Sequence, residues 1–151
     1  MNQYKTKIKK FLSFLLIAGI AAGLTYLLVY KVSFLPNGYE FTAVQENHVS
    51  LQSFNWLGME KDITTLSFSE EDAWMVDAML YEVDRQKEFL WLLYTAVTVS
   101  LILLLYKIRK GMKPWKAILE SNIIFALGIP LYTLVTSWNR IEKLADLVSG
   151  A

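Results

Sequence analysis

The longest pattern in the chain is a segment without proline or glycine, residues 69–110, that begins polar and ends apolar. It opens with the sequence SEEDAW, in which Ser69 is a candidate N-cap and three acidic residues occupy the first helical turn. Residues 70–88 are amphipathic and acidic, whereas residues 89–106 are 18 consecutive uncharged positions. As a helix these 18 positions span about 27 Å, close to a bilayer core of about 30 Å. The pattern predicts one helix that passes from water into a membrane.

A second apolar run lies near the N-terminus. Residues 11–30 are 20 uncharged positions that follow four lysines within the first ten residues. We assign residues 11–33 to a first membrane span. A cleaved signal peptide is the competing interpretation, because such peptides also place an apolar run after basic residues. The run is longer than a signal peptide needs, and no small-x-small cleavage site follows it. An uncleaved span is therefore favoured.

Between these two runs the periodicity changes from helical to alternating. The sequence Pro-Asn-Gly at residues 36–38 breaks the first helix. Apolar and polar residues then alternate, and the β-branched sequence DITTLSF follows at residues 62–68. We predict an antiparallel meander of two or three strands within residues 39–68. With the amphipathic half of the long helix, this meander makes a small α+β domain of residues 34–88 on one side of the membrane.

The last apolar run is the weakest of the three. Residues 121–139 carry no formal charge, but they include Asn122 and Pro130. We assign residues 117–138 to a third span and residues 139–151 to a nearly neutral tail. The predicted fold is a mainly α-helical membrane protein with three transmembrane helices and the α+β domain, whose long helix continues into the second span.

The distribution of charge predicts how the chain lies in the membrane. The first ten residues and the loop at residues 107–116 together hold nine basic residues and no acidic residue. Residues 31–88 hold four basic and 11 acidic residues. Because short cytoplasmic flanks are enriched in lysine and arginine, the N-terminus and this loop are predicted to be cytoplasmic. The α+β domain and the C-terminus then lie outside a cell membrane that the chain crosses several times.

Composition excludes several classes of function. The chain is 54% hydrophobic and has no cysteine and one histidine. Disulfides and thiolate sites are therefore excluded, and histidine-based metal or catalytic sites nearly so. The outer acidic residues have no accompanying nucleophile or base, which favours a solvated face. We expect no enzyme activity, cofactor or metal, and no nucleic-acid binding, since membrane topology accounts for the basic residues.

The first span contains small residues at helical spacing. Gly19 and Gly23 form a GxxxG pattern with Ala22 beside them, and such patterns allow another helix to approach closely in lipid. Packing against the other spans of the same chain is the favoured interpretation. The alternative is an interface with a second copy or with another membrane protein.

Polar groups near the third span allow a second function class. Glu120 and Asn122 lie at its cytoplasmic end, and Pro130 is expected to kink it. A small transporter or pore component would use these residues as an ion-handling carboxylate and a hinge. The favoured interpretation of Glu120 is a helix-end acid that pairs with Lys116 or another cation of the basic loop.

Aromatic residues in the outer domain indicate a contact surface. Trp74 and Tyr81 lie on a second apolar stripe of the long helix, and Trp56 lies in an apolar loop between two predicted strands. Exposed aromatic residues of this kind are typical of protein interfaces. The sequence therefore favours an accessory, regulatory or assembly subunit that binds another membrane protein or itself within the lipid bilayer.

Overall fold

The computed structural model describes residues 1–150, which form four α-helices and one three-stranded sheet. In chain order the elements are α1 (Asn2–Tyr26, extended by a π-helical turn at Leu27–Lys31), β1 (Tyr39–Val44), β2 (His48–Phe54), β3 (Glu60–Ser67), a 3₁₀ turn (Glu70–Asp72), α2 (Ala73–Arg109), α3 (Pro114–Glu120) and α4 (Ile123–Gly150).

Two helical segments are long and apolar enough to cross a membrane. They are α1 with its π-helical turn, and the segment Glu70–Arg109, which contains α2. The pair α3 and α4 passes the same test as one bent unit and brings the number to three. The chain therefore has two or three apolar helices suited to a bilayer.

The long helix α2 runs from the α+β domain (residues 34–88, called the outer domain after its predicted location) into the apolar segment as one unbroken element, as the sequence predicts. Ser69 stands at the start of the 3₁₀ turn that leads into it, and its hydroxyl donates a hydrogen bond to the Asp72 carboxylate over 3.1 Å. The 37 residues of α2 correspond to a rod of about 55 Å.

The predicted meander is confirmed. The strands pair antiparallel in the order β1-β2-β3, with Phe41 opposite Leu51 and Val49 opposite Leu66. Alternate side chains point to opposite faces of a sheet, so Val49, Leu51 and Leu66 are buried on the face that packs against the helices.

Helices α2 and α4 pack against each other in opposite directions along a shared repeat. Most of their buried positions are three, four or seven residues apart, which is the heptad spacing of paired helices: Val76, Met79, Val83, Gln86, Leu90 and Leu93 in α2, and Leu134, Ser137, Ile141 and Val148 in α4. The residues assigned to a tail from the sequence are therefore the outer half of α4. Ile141 and Val148 complete the core between α2 and the sheet.

The third span differs from the continuous helix that the sequence predicts. Helices α3 and α4 are bent by 51° relative to each other, with Ser121 and Asn122 between them. Asn122 has a positive φ of 58°, a backbone conformation that asparagine tolerates better than most residues. The bend therefore falls at Asn122. Helix α4 continues through Pro130, and the predicted kink at that proline stays a prediction.

Candidate functional site

The outer half of α2 is attached to the sheet through a glutamine that is completely buried. The Gln86 side-chain oxygen accepts a hydrogen bond from the Tyr39 backbone N–H over 3.1 Å, and its amide nitrogen donates to the Tyr39 carbonyl. Next to it, Lys87 Nζ lies 2.9 Å from the Glu40 carboxylate. Both contacts join α2 to the first residues of β1, so they attach the sheet to the helix just before its apolar segment, residues 89–106, begins.

A buried carboxylate joins α2 to α4. Glu82 Oε1 accepts a hydrogen bond from Arg140 over 3.0 Å and lies 3.6 Å from Arg85. The other oxygen of Glu82 is buried and has no hydrogen-bond partner among residues 1–150. A buried charge is tolerated only when it is paired. Arg85 of the same helix and Arg140 of α4 supply the opposite charge, and the Arg140 pair links the two helices.

Above this ion pair the two helices expose an apolar face. Trp74 and Tyr81 are 59% and 65% exposed, and Ala78 lies between them at helical spacing. A groove of about 470 Å³ runs beside Tyr81 between the helices, and its lining residues are Ala78, Tyr81, Glu82, Arg140, Lys143, Leu144 and Leu147. We call Trp74, Ala78, Tyr81 and this groove the α2/α4 face.

Trp56 does not belong to that face. It is 72% exposed and lies in the turn between β2 and β3, whose Gly58 backbone lies against the Phe34 ring, and that ring is 6.2 Å from the ring of Tyr94. Twenty residues of α2 separate Trp74 from Tyr94, a distance of about 30 Å along the helix. The three aromatic residues predicted as a contact surface therefore lie at opposite ends of the outer domain.

Of the three small residues predicted to pack, Gly19 and Gly23 do not pack within this chain, whereas Ala22 is half-buried beside α2. A side chain at Gly19 or Gly23 would meet nothing within 4 Å. The side of α1 that contacts α2 is instead formed by Ala21 and Thr25, which are buried. Thr25 shares a 2.7 Å hydrogen bond with Thr95, and Trp91 donates to the Ala22 carbonyl over 2.9 Å. Among the described residues, the Gly19/Gly23 side of α1 is unoccupied.

Glu120 pairs with two lysines of the basic loop and its flank. Its carboxylate oxygens lie 3.4 Å from Lys107 Nζ and 3.8 Å from Lys116 Nζ. Lys107 also donates to the Glu120 backbone carbonyl over 2.8 Å. The neighbouring Asn122 is exposed, and Ser121 between them is buried. These contacts are the pairing expected of an acid at the end of a helix.

The remaining polar groups were considered as metal ligands and as titratable groups. Within residues 1–150 no group of three or more histidine, cysteine, aspartate or glutamate side chains is arranged to hold a metal ion. Burial raises the pKa of Tyr39, and the carboxylates of Glu142 and Asp146 raise it further.

We compared the chain with protein-family models, curated proteins and solved structures, and none of the three comparisons found a match.

The positions of two buried polar side chains in this region were not predicted from the sequence. Glu82 and Gln86 are polar residues in an amphipathic segment, where an exposed position is the usual expectation, but both are buried. The available signal was the heptad spacing of residues 134–148, which matches that of residues 76–93 and indicates that two helices pair.

Proposed function

We propose that the protein is a small multi-pass membrane subunit that acts by binding another protein, in an accessory, assembly or regulatory role. The observation that supports this proposal is the α2/α4 face, where Trp74 and Tyr81 are exposed on the outer part of the molecule. Tryptophan and tyrosine carry much of the binding energy at protein interfaces when a partner excludes water from them. The cationic Lys143 beside the groove adds a charged rim.

We propose that this subunit lies in the cell membrane with three spans. The N-terminus and the basic loop face the cytoplasm, while the sheet, the outer half of α2 and the end of α4 face outward. The charge distribution supports this orientation. The α2/α4 face then lies outside the membrane, on the same rod that continues into the bilayer.

The partner is proposed to be another membrane protein or a second copy of this chain. The open side of α1 at Gly19 and Gly23 supports a contact within the bilayer, since a facing helix can approach such a surface closely. Glu120 is already paired with Lys107 and Lys116. Its contacts are explained without transport, so we propose the interaction function alone.

The test is gentle detergent extraction followed by measurement of the mass of the particle that contains the protein. We expect a complex larger than one chain, and we expect the double variant Trp74→Ser/Tyr81→Ser to dissociate it. The control is Val44→Ser/Ile63→Ser, which removes two exposed apolar side chains from the sheet instead. If the Trp74/Tyr81 variant keeps the whole complex, the α2/α4 face is not the binding surface.

A further inference from the structure

We propose that the turn between β2 and β3, residues 55–59, inserts its apolar side chains into the lipid bilayer on the side of the outer domain. We call these residues the β2–β3 turn. The inference rests on the depth of the turn relative to the apolar segment of α2. It does not depend on the proposed protein partner.

Strand β2 and helix α2 run in the same direction, and three buried clusters give their relative depth. Val49 belongs to one cluster with Val76 and Met79, and two residues later Leu51 belongs to another with Val83. Phe54 at the end of β2 belongs to a third cluster with Leu90 and Leu93, which lie within the uncharged residues 89–106. The strand therefore descends beside the helix, and the turn that follows it lies level with the start of the apolar segment.

Direct contacts place the turn itself at this level. A side chain at Gly58 would overlap the ring of Phe34, at 2.6 Å from the nearest ring carbon, so that ring lies against the Gly58 backbone. The Phe34 ring is in turn 6.2 Å from the ring of Tyr94. Tyr94 lies five residues into the apolar segment, or about 7.5 Å along the helix. That depth is within the about 5–10 Å to which interfacial segments enter the boundary between headgroups and acyl chains.

The side chains of the turn suit an apolar environment. Trp56, Leu57 and Met59 are all exposed on the protein, although loops in water are usually polar. Tryptophan is enriched at membrane–water boundaries, where its ring lies at the headgroup level. The charged residues Glu60 and Lys61 come directly after the turn and are exposed, which places charge where the chain returns toward water.

Backbone N–H groups at the tip of the turn are hydrogen-bonded within the turn itself. Asn55 Oδ1 accepts hydrogen bonds from the Leu57 N–H over 2.9 Å and from the Met59 N–H over 3.0 Å. The Gly58 N–H donates to the Asn55 carbonyl over 2.9 Å. Three successive N–H groups at the tip are thus satisfied inside the turn. An unsatisfied backbone group in lipid is costly, so this internal pairing of three N–H groups lowers the cost of insertion.

Tryptophan fluorescence tests the inference. Variants that each keep one tryptophan, with the other four replaced by phenylalanine, are placed in phosphatidylcholine vesicles with brominated acyl chains, which quench only rings within the bilayer. We expect Trp56 to lose as much emission as Trp91 in the apolar segment, and Trp74 on distal α2 to lose none. If Trp56 loses no more emission than Trp74, the turn lies in water or under a protein partner, and the inference is wrong.

A second measurement needs no tryptophan replacements, because the chain has no cysteine. A spin label is attached at Leu57→Cys in the turn or at Val44→Cys, an exposed apolar position at the opposite end of the meander. In phosphatidylcholine vesicles we expect the label at position 57 to collide more with oxygen than with a water-soluble nickel chelate, and the label at position 44 to show the reverse. Equal nickel accessibility at both positions, or protection of position 57 from both reagents, would overturn the proposal.

Discussion

The side chain of Gln86 in α2 pairs with the backbone of Tyr39 in β1 through both its oxygen and its nitrogen. The side-chain amide thus satisfies a donor and an acceptor at the beginning of the sheet, as a neighbouring strand would. Gln86 is completely buried and lies three residues before the uncharged residues 89–106. The pair therefore attaches the outer domain to α2 at the point where the helix enters its apolar segment.

Replacing Gln86 with leucine is expected to destabilise the outer domain. The substitution removes these partners from the N–H and carbonyl of Tyr39, which is half-buried. A fully buried unsatisfied group costs about 1–3 kcal/mol, so we expect the lower end of that range for each group. Thermal unfolding in detergent, followed by circular dichroism, measures the loss. The control is Gln45→Leu, at an exposed glutamine of the same protein. Equal unfolding temperatures for the two variants would show that the Gln86–Tyr39 pair contributes nothing to stability.

Replacing only one partner of the Glu82–Arg140 ion pair is expected to lower the stability of the protein more than replacing both. Arg140→Ala leaves the buried Glu82 carboxylate with only Arg85, at 3.6 Å, and loss of one partner of a buried pair costs about 3–5 kcal/mol. Because Arg140 is itself more than half exposed, we expect the lower end of that range or less. Adding Glu82→Gln is expected to recover part of the stability.

Chemical denaturation of the single and double variants tests this coupling. Lys143→Ala, which removes a neighbouring exposed lysine of α4, is the control and is expected to change stability little. If the free-energy losses of the two substitutions simply add, the residues do not act as a pair.

The two sides of α1 are expected to respond in opposite ways to a larger side chain. Gly19→Leu meets no atom within 4 Å in this chain and should leave the unfolding temperature unchanged or slightly higher, since leucine favours helix more than glycine does. Ala21→Leu crowds the buried contact with α2 and should cost about 1–3 kcal/mol. Thermal unfolding compares them directly. Strong destabilisation of the isolated monomer by Gly19→Leu would mean that this side of α1 is packed within the chain.

Substitution of Gly19 also tests whether α1 associates with another helix in the membrane. If Gly19 and Gly23 face another helix in the membrane, Gly19→Leu weakens that complex while the monomer keeps its stability. Disulfide trapping through a cysteine introduced beside Gly19 separates the two effects, because the natural chain has no cysteine. A trapped dimer that forms equally well with Gly19→Leu would argue against this face as an interface between copies.

Sequence patterns predicted those helices and strands in which apolar residues recur with a single clear period. The unbroken amphipathic and then apolar run gave α2, and alternation gave the three strands. The side of α1 that packs inside the chain was not predictable, because residues around the whole helix are apolar and small residues occur on more than one side. The side that faces α2 is set by contacts between residues distant in sequence, such as the Thr25–Thr95 hydrogen bond and the Trp91 hydrogen bond to the Ala22 carbonyl.

The candidate site was predicted in part. The spacing of Trp74 and Tyr81 placed them on one helical face, and both are exposed. Their partner in that face, the outer half of α4, was not predicted, since residues 139–151 have the composition of a neutral tail. Trp56 was separated from them because β2 descends along α2, a relation set by contacts between residues distant in sequence, such as Phe54 and Leu90.

The central claim is that the α2/α4 face binds another protein, and site-specific photo-crosslinking in intact cells tests it most directly. A photoreactive amino acid replaces Tyr81, or, as a control, Ile63, a large hydrophobic residue of the sheet that is almost equally exposed, at 63% against 65%. The account predicts a discrete crosslinked product, either with a second copy or with another membrane protein, at position 81 and none at position 63. The absence of any crosslinked product at position 81, with the variant present at normal levels in the membrane, would contradict it.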